Sequence, residues 1–403
     1  MTSHSKLFTI LAITLVILAT VIIFWLFPNF SKIPGESSNQ GYSIGFGDDT
    51  VKARVLDILE EGTTQLGNQT QPYQILLIKV QEGTYNGQLL EIDYGLRQIR
   101  PPGLSFRPGD QLMVTVGQQP DGTITGYFTD YVRSQSLLWL FGTFVVFSVA
   151  ISGWKGIRSL IAMCISLIVI IYFVIPQILA GKDPVLISIS GAFILMTATL
   201  YITYGWTLKT HAAVTGTLIS LIVTGLLANF FVTLTRLTGF GSEDALFLIQ
   251  QSQSTINMRG LVLGGMLIGA LGVLDDLVIT QASAVFELYF ADPKQGVKKL
   301  FRSAMRIGQD HVAATVNTLV LAYAGAALPT LLLFTISGEQ FAYLINFEFV
   351  TEEIVRTLVG SLGLIAAVPI TTLLAGLLVT RHSRLGKLLP ILNPSSSFHS
   401  PRH

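Results

Sequence analysis

The stretch 269–288, "GALGVLDDLVITQASAVFEL", carries Asp275, Asp276 and Glu287 inside a run otherwise apolar enough for a lipid bilayer. A carboxylate in lipid can bind a cation or a proton. Two carboxylates sharing a proton can cleave peptides, and hydroxyls beside them can line a polar path. Helix positions three and four apart share a face. From Gly265 that step gives Gly269, Gly272, Asp276, Thr280, Ser283 and Glu287, all small or polar. The three glycines predict close helix packing. The residues below them predict an inward-facing polar lining, with Asp276 as its main charge. Asp275, like Leu271, Leu274 and Ile279, falls off this stripe on other faces, and so ranks behind Asp276. A second polar stretch, 308–329, reads "GQDHVAATVNTLVLAYAGAALP". Asp310 and Asn317, seven apart, share a face there and are further path candidates. The alternatives are an N-cap at Asp310 for a helix starting at His311, and an interhelical hydrogen bond from Asn317.

The elements that must position these residues are membrane helices. Half of the 403 residues are hydrophobic and only 12% are charged, against about a quarter in ordinary globular proteins. The apolar run 7–27 follows Lys6, exceeds a signal-peptide core and lacks a small-x-small cleavage site, so residues 1–30 read as an uncleaved anchor. The composition then turns polar and turn-rich. Strand patterns at 51–59, 74–80, 89–94, 111–116 and 123–128 predict a small all-β, OB-like domain over 41–131. It contains no catalytic constellation. Apolar runs return at 136–153, 160–179, 185–204, 212–234, 260–285, 312–336 and 354–380. These seven helices form a domain over 136–380, followed by a tail over 381–403. The fold class is an α-helical polytopic membrane protein with about eight spanning helices and a small extracytoplasmic all-β domain.

Basic residues in short loops set the orientation. Lys6, Lys155, Arg158, Lys209, Lys294, Lys298, Lys299, Arg302, Arg306, Arg381, Arg384 and Lys387 fall on the N-terminal side, against Lys182, Arg236, Arg259 and Arg356 opposite. Both termini are therefore expected in the cytoplasm, with residues 28–135 extracytoplasmic. The lipid bilayer is one partner. A protein partner would dock on the β domain or the basic loop 294–306, and a net charge of +1 gives no reason to expect nucleic acid. Cys164, the single cysteine, reads as a packing residue. No metal or cofactor motif is present, and without a nucleotide-binding loop transport would use an ion gradient, a downhill flow or a separate ATPase. The leading function is a transporter or channel for an ion or small solute, not an enzyme. Tyr201, Tyr204, His211, Thr224, Asn229 and a hinge at Pro369 are further lining candidates. The alternatives are a non-catalytic membrane scaffold or assembly protein and, more remotely, an intramembrane aspartyl protease built from Asp276 and Asp310. No Gly-x-Gly-Asp element supports the protease.

The two polar blocks also carry a resemblance. Gly269, Gly272, Asp276, Thr280, Ala282, Ser283 and Glu287, with Gly308, Asp310, Asn317, Thr318, Leu319, Ala322, Tyr323, Gly325 and Pro329, resemble the YibE/F-like family of polytopic membrane proteins. The layout of anchor, β module and helical domain is similar as well. The resemblance implies a permease in a bacterial plasma membrane and names no substrate. Where the family tends to have Met before its aspartate, this chain has Asp275, which adds local charge. After Asp310 it has His311–Val312 in place of an apolar pair.

Overall fold

The computed structural model describes residues 50–385, apart from 68, 98, 101–102, 119–121, 253–255 and 339–340. The expected anchor at 1–30 and most of the tail lie outside the described residues. The chain divides into two compact units whose boundary falls between Phe147 and Ser148.

The first unit holds an antiparallel sheet of β1 (Thr50–Leu66), β2 (Gln69–Val80), β3 (Leu89–Tyr94), β4 (Gln111–Gln118) and β5 (Ile124–Tyr131), in the order β3-β2-β1-β4-β5. Alternation builds it: on β4, Leu112, Val114 and Val116 are buried while Met113 and Thr115 are half-exposed. β1 and β2 extend past the expected strands into a long polar hairpin that pairs Glu61 with Gln74 and Gly62 with Tyr73. Polar residues hid that extension from an alternation test. Tyr94, Phe106, Phe128 and Tyr131 form the aromatic centre, with Tyr94 lying 4.9 Å from both phenylalanine rings. Gln74 is buried and clamps Phe106, accepting from its N–H at 2.8 Å and donating to its carbonyl at 3.2 Å.

The second unit is helical. Among the described residues, five helices are long and apolar enough to cross a membrane, or six if one bent pair counts as a span. α1 (Ser134–Val169) runs through a π-turn at Ile170–Val174 into α2 (Ile175–Leu179). This 46-residue run is longer than one bilayer crossing of about 20 residues. It breaks at Gly153, whose φ of 55° and ψ of −133° are non-helical. A Cβ on Gly156 would lie 2.6 Å from the Ser148 carbonyl oxygen, whereas eight residues of straight helix span about 12 Å. The break falls at Gly153, where the first of the two runs expected at 136–153 and 160–179 ends.

α3 (Pro184–Tyr204) is capped by Asp183, which accepts from the N–H groups of Val185 and Leu186. α4 (Leu208–Leu234), the short α5 (Glu243–Gln251) and α6 (Met258–Ala291) follow. α7 (Val297–Ala326) bends by 58° into α8 (Leu328–Ser337), which has a proline in its first turn. α9 (Phe341–Leu344) leads to α10 (Glu348–Leu385), which is helical through Pro369. Because α7 begins at Val297 with Gly296 as its N-cap, Asp310 lies mid-helix and is no cap. The expected span 312–336 is two helices.

α6 is the central element, packing against α3, α4, α7 and α10. Small residues let these helices approach closely. A Cβ on Gly216 of α4 would meet Thr371 of α10 at 2.6 Å, and Gly363 of α10 abuts Thr224 of α4. Gly264 of α6 rests on Ser188 of α3. Gln281, 1% exposed, donates to the Ala304 carbonyl at 3.0 Å and to Thr372 Oγ1 at 2.7 Å, joining α6 to α7 and α10.

Candidate functional site

α6 presents two contrasting faces. The buried one carries Gly264, Leu267, Leu271, Leu274, Val278, Gln281 and Val285. Opposite it run Gly265, Gly269, Gly272, Asp276, Thr280 and Glu287, all exposed, with Ser283 half-buried. The spacing did group these seven on one face, but that face is the open one. The helix-packing role expected of Gly265, Gly269 and Gly272 is therefore corrected. Around a Cβ built on Gly265 or Gly272 nothing lies within 4 Å, and on Gly269 the nearest atom is the Tyr323 hydroxyl at 3.5 Å. The cause is the competing face, where aliphatic side chains alternate with Gly260, Gly264 and Ala270. Burying it removes more apolar surface.

Beside the open stripe, a cleft of about 340 Å³ lies between the second half of α1, α3 and α6. Its polar lining is Ser159, Ser166, Thr199, Thr203, Tyr204, Asp275 and Asp276. α6 brings both carboxylates there: consecutive helix residues point about 100° apart, so Asp276 stands at the exposed edge and Asp275 is turned further inward. One Asp275 carboxylate oxygen is buried without a hydrogen-bond partner, as is the Thr203 hydroxyl oxygen. Asp275, placed behind Asp276 on the sequence, is the more enclosed of the two. Asp275 left the stripe because it turns into the cleft.

Neighbouring hydroxyls are oriented by their own helices. Ser166 Oγ donates to the Ala162 carbonyl at 3.0 Å and lies 3.3 Å from Thr199 Oγ1. Thr280 Oγ1 donates to the Asp276 carbonyl at 2.8 Å, and Ser283 Oγ to Ile279 at 2.7 Å. A hydroxyl whose hydrogen is held by the preceding turn keeps its lone pairs for something else. Among the described residues lining the cleft there is no Lys or Arg. Two carboxylates and several oriented hydroxyls therefore suit a cation, a proton or a polar solute with donor groups. No three His, Cys, Asp or Glu side chains converge among the described residues. A bound ion would thus take neutral oxygens beside the acids.

The other candidates are dispersed. Thr280 lies 3.4 Å from His311 Nδ1, where α7 crosses α6, and Glu287 lies further along within electrostatic range of Lys209. Asp310 and Asn317 are exposed on α7 and do not line the cleft. Tyr201 hydrogen-bonds His211 at 2.6 Å beneath Trp206, a packing arrangement. Sequence reasoning passed over Ser159, Ser166, Thr199 and Thr203. Their signal was hydroxyls spaced seven and four apart within apolar runs.

No curated protein and no solved structure matches the chain. A family model described as YibE/F-like protein matches residues 140–381, from within α1 to the last turns of α10. With well over half of its length covered, including both polar blocks, the chain belongs to the YibE/F-like protein family, and its helices are those of an integral, multi-pass membrane protein.

Proposed function

We propose that the protein is a non-enzymatic permease or channel of the plasma membrane that moves a cation or a small cationic or polar solute through the cleft beside Asp275 and Asp276. The observation that carries this reading is the buried, unpartnered Asp275 oxygen facing a polar cleft between helices long enough to span a bilayer. An ionisable group within a membrane is costly, about 2.5–3.5 kcal/mol at a helix centre on insertion scales, and such groups mark ion paths. Asp276 at the open edge draws the ion in. Asp275 then replaces part of its hydration shell, with Thr203 and Tyr204 supplying neutral oxygens.

The orientation belongs to the same proposal, with both termini in the cytoplasm. Contacts at helix ends support it. A Cβ on Gly260 would lie 3.3 Å from Pro184, the Thr238 N–H donates to Glu348 at 2.6 Å, and Gly239 packs on the Met258 backbone. The segments around Lys182, Arg236, Arg259 and Arg356, poor in basic residues, thereby gather at one end, outside by the positive-inside rule. The β unit would be extracytoplasmic and OB-like. Its outermost strands support that by packing on each other, Ile92 lying 3.1 Å from a Cβ on Gly126. A protein partner would use this unit or the basic segment 294–306.

The test is flux into proteoliposomes loaded with purified protein, under imposed gradients of protons, monovalent cations and divalent cations. Asp275→Asn keeps size and hydrogen bonding and removes the charge. It should lower flux at least about tenfold, equivalent to about 1.4 kcal/mol on the barrier, and Asp276→Asn should lower it less. Full flux in folded Asp275→Asn, or no flux for any gradient in wild type, would reject the path and favour the scaffold reading.

A further inference from the structure

α7 is the helix whose outer face remains unexplained. It turns Leu300, Ala304 and Gly308 inward. Its outer face exposes Arg302, Arg306, Asp310, Ala313, Ala314 and Asn317, positions that recur three and four apart. Neither Arg306 nor Asp310 forms an ion pair among the described residues, and Asn317 has no side-chain hydrogen bond there. Asn317 sits about 10 Å further along the helix than Asp310, among Val316, Leu319, Val320 and Leu321. An amide facing hydrocarbon there has nothing to bond with, at a cost of several kcal/mol.

We infer that this face of α7 is the interface of a homodimer whose two-fold axis runs along the membrane normal, with the two copies of α7 closest between Ala313 and Asn317. Across such an axis each residue meets its own counterpart, so the face must be self-complementary. Asn317 qualifies because a carboxamide both donates and accepts, and two of them satisfy each other. Arg306 and Asp310 qualify because they have opposite charges one turn apart, about 6 Å along the axis, within reach of an arginine side chain on the second copy. Ala313 and Ala314 lie between Asp310 and Asn317 and let the two backbones approach. The apolar segment 7–27 of the same chain is a poorer occupant. It contains no charged residue and no Asn or Gln to match Arg306, Asp310 and Asn317. Headgroup phosphate can meet Arg302 and Arg306, but lipid offers no cation for Asp310 and no hydrogen-bonding group at the depth of Asn317. The inference does not depend on transport, since α7's outer face lies off the cleft.

Cysteine crosslinking of the full chain in membranes tests it, in a Cys164→Ser background at low protein-to-lipid ratio. Ala313→Cys or Ala314→Cys should oxidise to a covalent dimer, whereas Leu226→Cys, 67% exposed on α4, should remain monomeric. Arg306→Asp and Asp310→Arg should each reduce the Ala313→Cys dimer at least about fivefold. The combined swap should restore it to within about twofold, which also shows that the single variants did not simply misfold. Three results overturn the proposal: no dimer at either alanine, equal crosslinking at Leu226→Cys, or no recovery in the double swap. An intrachain product of monomer mass between Thr14→Cys and Ala313→Cys would overturn it too, assigning the face to the N-terminal segment.

Discussion

Gly308 should not tolerate replacement by Ala, because one added methyl there breaks a clamp joining three helices. A Cβ at Gly308 would collide with Val368 Cγ1 and lie 2.9 Å and 3.0 Å from the amide oxygen and nitrogen of Gln281. Gln281 cannot retreat without losing its bonds to the Ala304 carbonyl and Thr372 Oγ1. Hydrogen bonds between membrane helices average about 0.6 kcal/mol, so two contribute about 1.2 kcal/mol. Overpacking a close contact adds about 1–3 kcal/mol. Gly308→Ala should therefore destabilise the protein by about 2–4 kcal/mol. Gln281→Ala alone loses the same two bonds and leaves a small void. The double variant loses those bonds once and keeps only the Val368 collision. It should be less damaged than the sum of the singles by at least about 1 kcal/mol. Reversible unfolding in mixed micelles, titrated with a denaturing detergent and followed by circular dichroism, measures all three. A Gly308→Ala protein within about 0.5 kcal/mol of wild type, or additive singles, would refute the clamp.

Two further outcomes are expected. Residues 41–131 expressed alone should give an all-β circular dichroism spectrum and lose stability as the pH rises above about 10, the ordinary tyrosine value. Burial first, and then the hydrogen bond with the Tyr94 hydroxyl, raise the Tyr131 phenol in the folded unit. The unfolded chain therefore releases its proton at lower pH, and stability falls with rising pH. Tyr131→Phe should flatten that slope in urea titrations, and an unchanged slope would discard the cause. In a Cys164→Ser background, Thr70→Cys should react with an impermeant thiol reagent on intact cells and Lys298→Cys only after permeabilisation. Reaction of Lys298→Cys from outside would invert the topology.

The sequence made some of this legible because the relevant signals were local. Period-two alternation located all five strands, since Leu112, Val114 and Val116 must face one side whatever packs on them. The grouping of Gly265, Gly269, Gly272, Asp276 and Thr280 followed from helix geometry alone. What local geometry cannot supply is which face of a helix looks inward. α6 carries two four-residue glycine spacings, Gly260–Gly264 and Gly265–Gly269, one residue out of register. Only the first is packed: Gly264 touches Ser188, while Gly265 is open. Choosing between them needs the partner helices, because the choice rests on whether Ser188, Thr372 and Ala304 arrive opposite Gly264 and Gln281. Gln281 shows the same dependence. As one amide in an apolar run it reads as a nuisance, and it becomes a clamp only when two other helices present an acceptor carbonyl and a hydroxyl.

Asp275 shows the same dependence on neighbouring helices within the cleft. Its distance from the polar stripe counted against it so long as function was sought on one face of one helix. A path through a bundle is lined by several helices, so a residue on the edge between a helix's open and buried faces meets lining from its neighbours. Asp275 occupies that edge on α6, while Thr199 and Thr203 on α3 and Ser159 and Ser166 on α1 supply the other walls. Each helix contributes a short row of hydroxyls too sparse to stand out in its own sequence. The polar character of the cleft is therefore a property of the packing. If the cleft is the proposed path, Thr203→Val on α3 should lower proteoliposome flux without touching either acid.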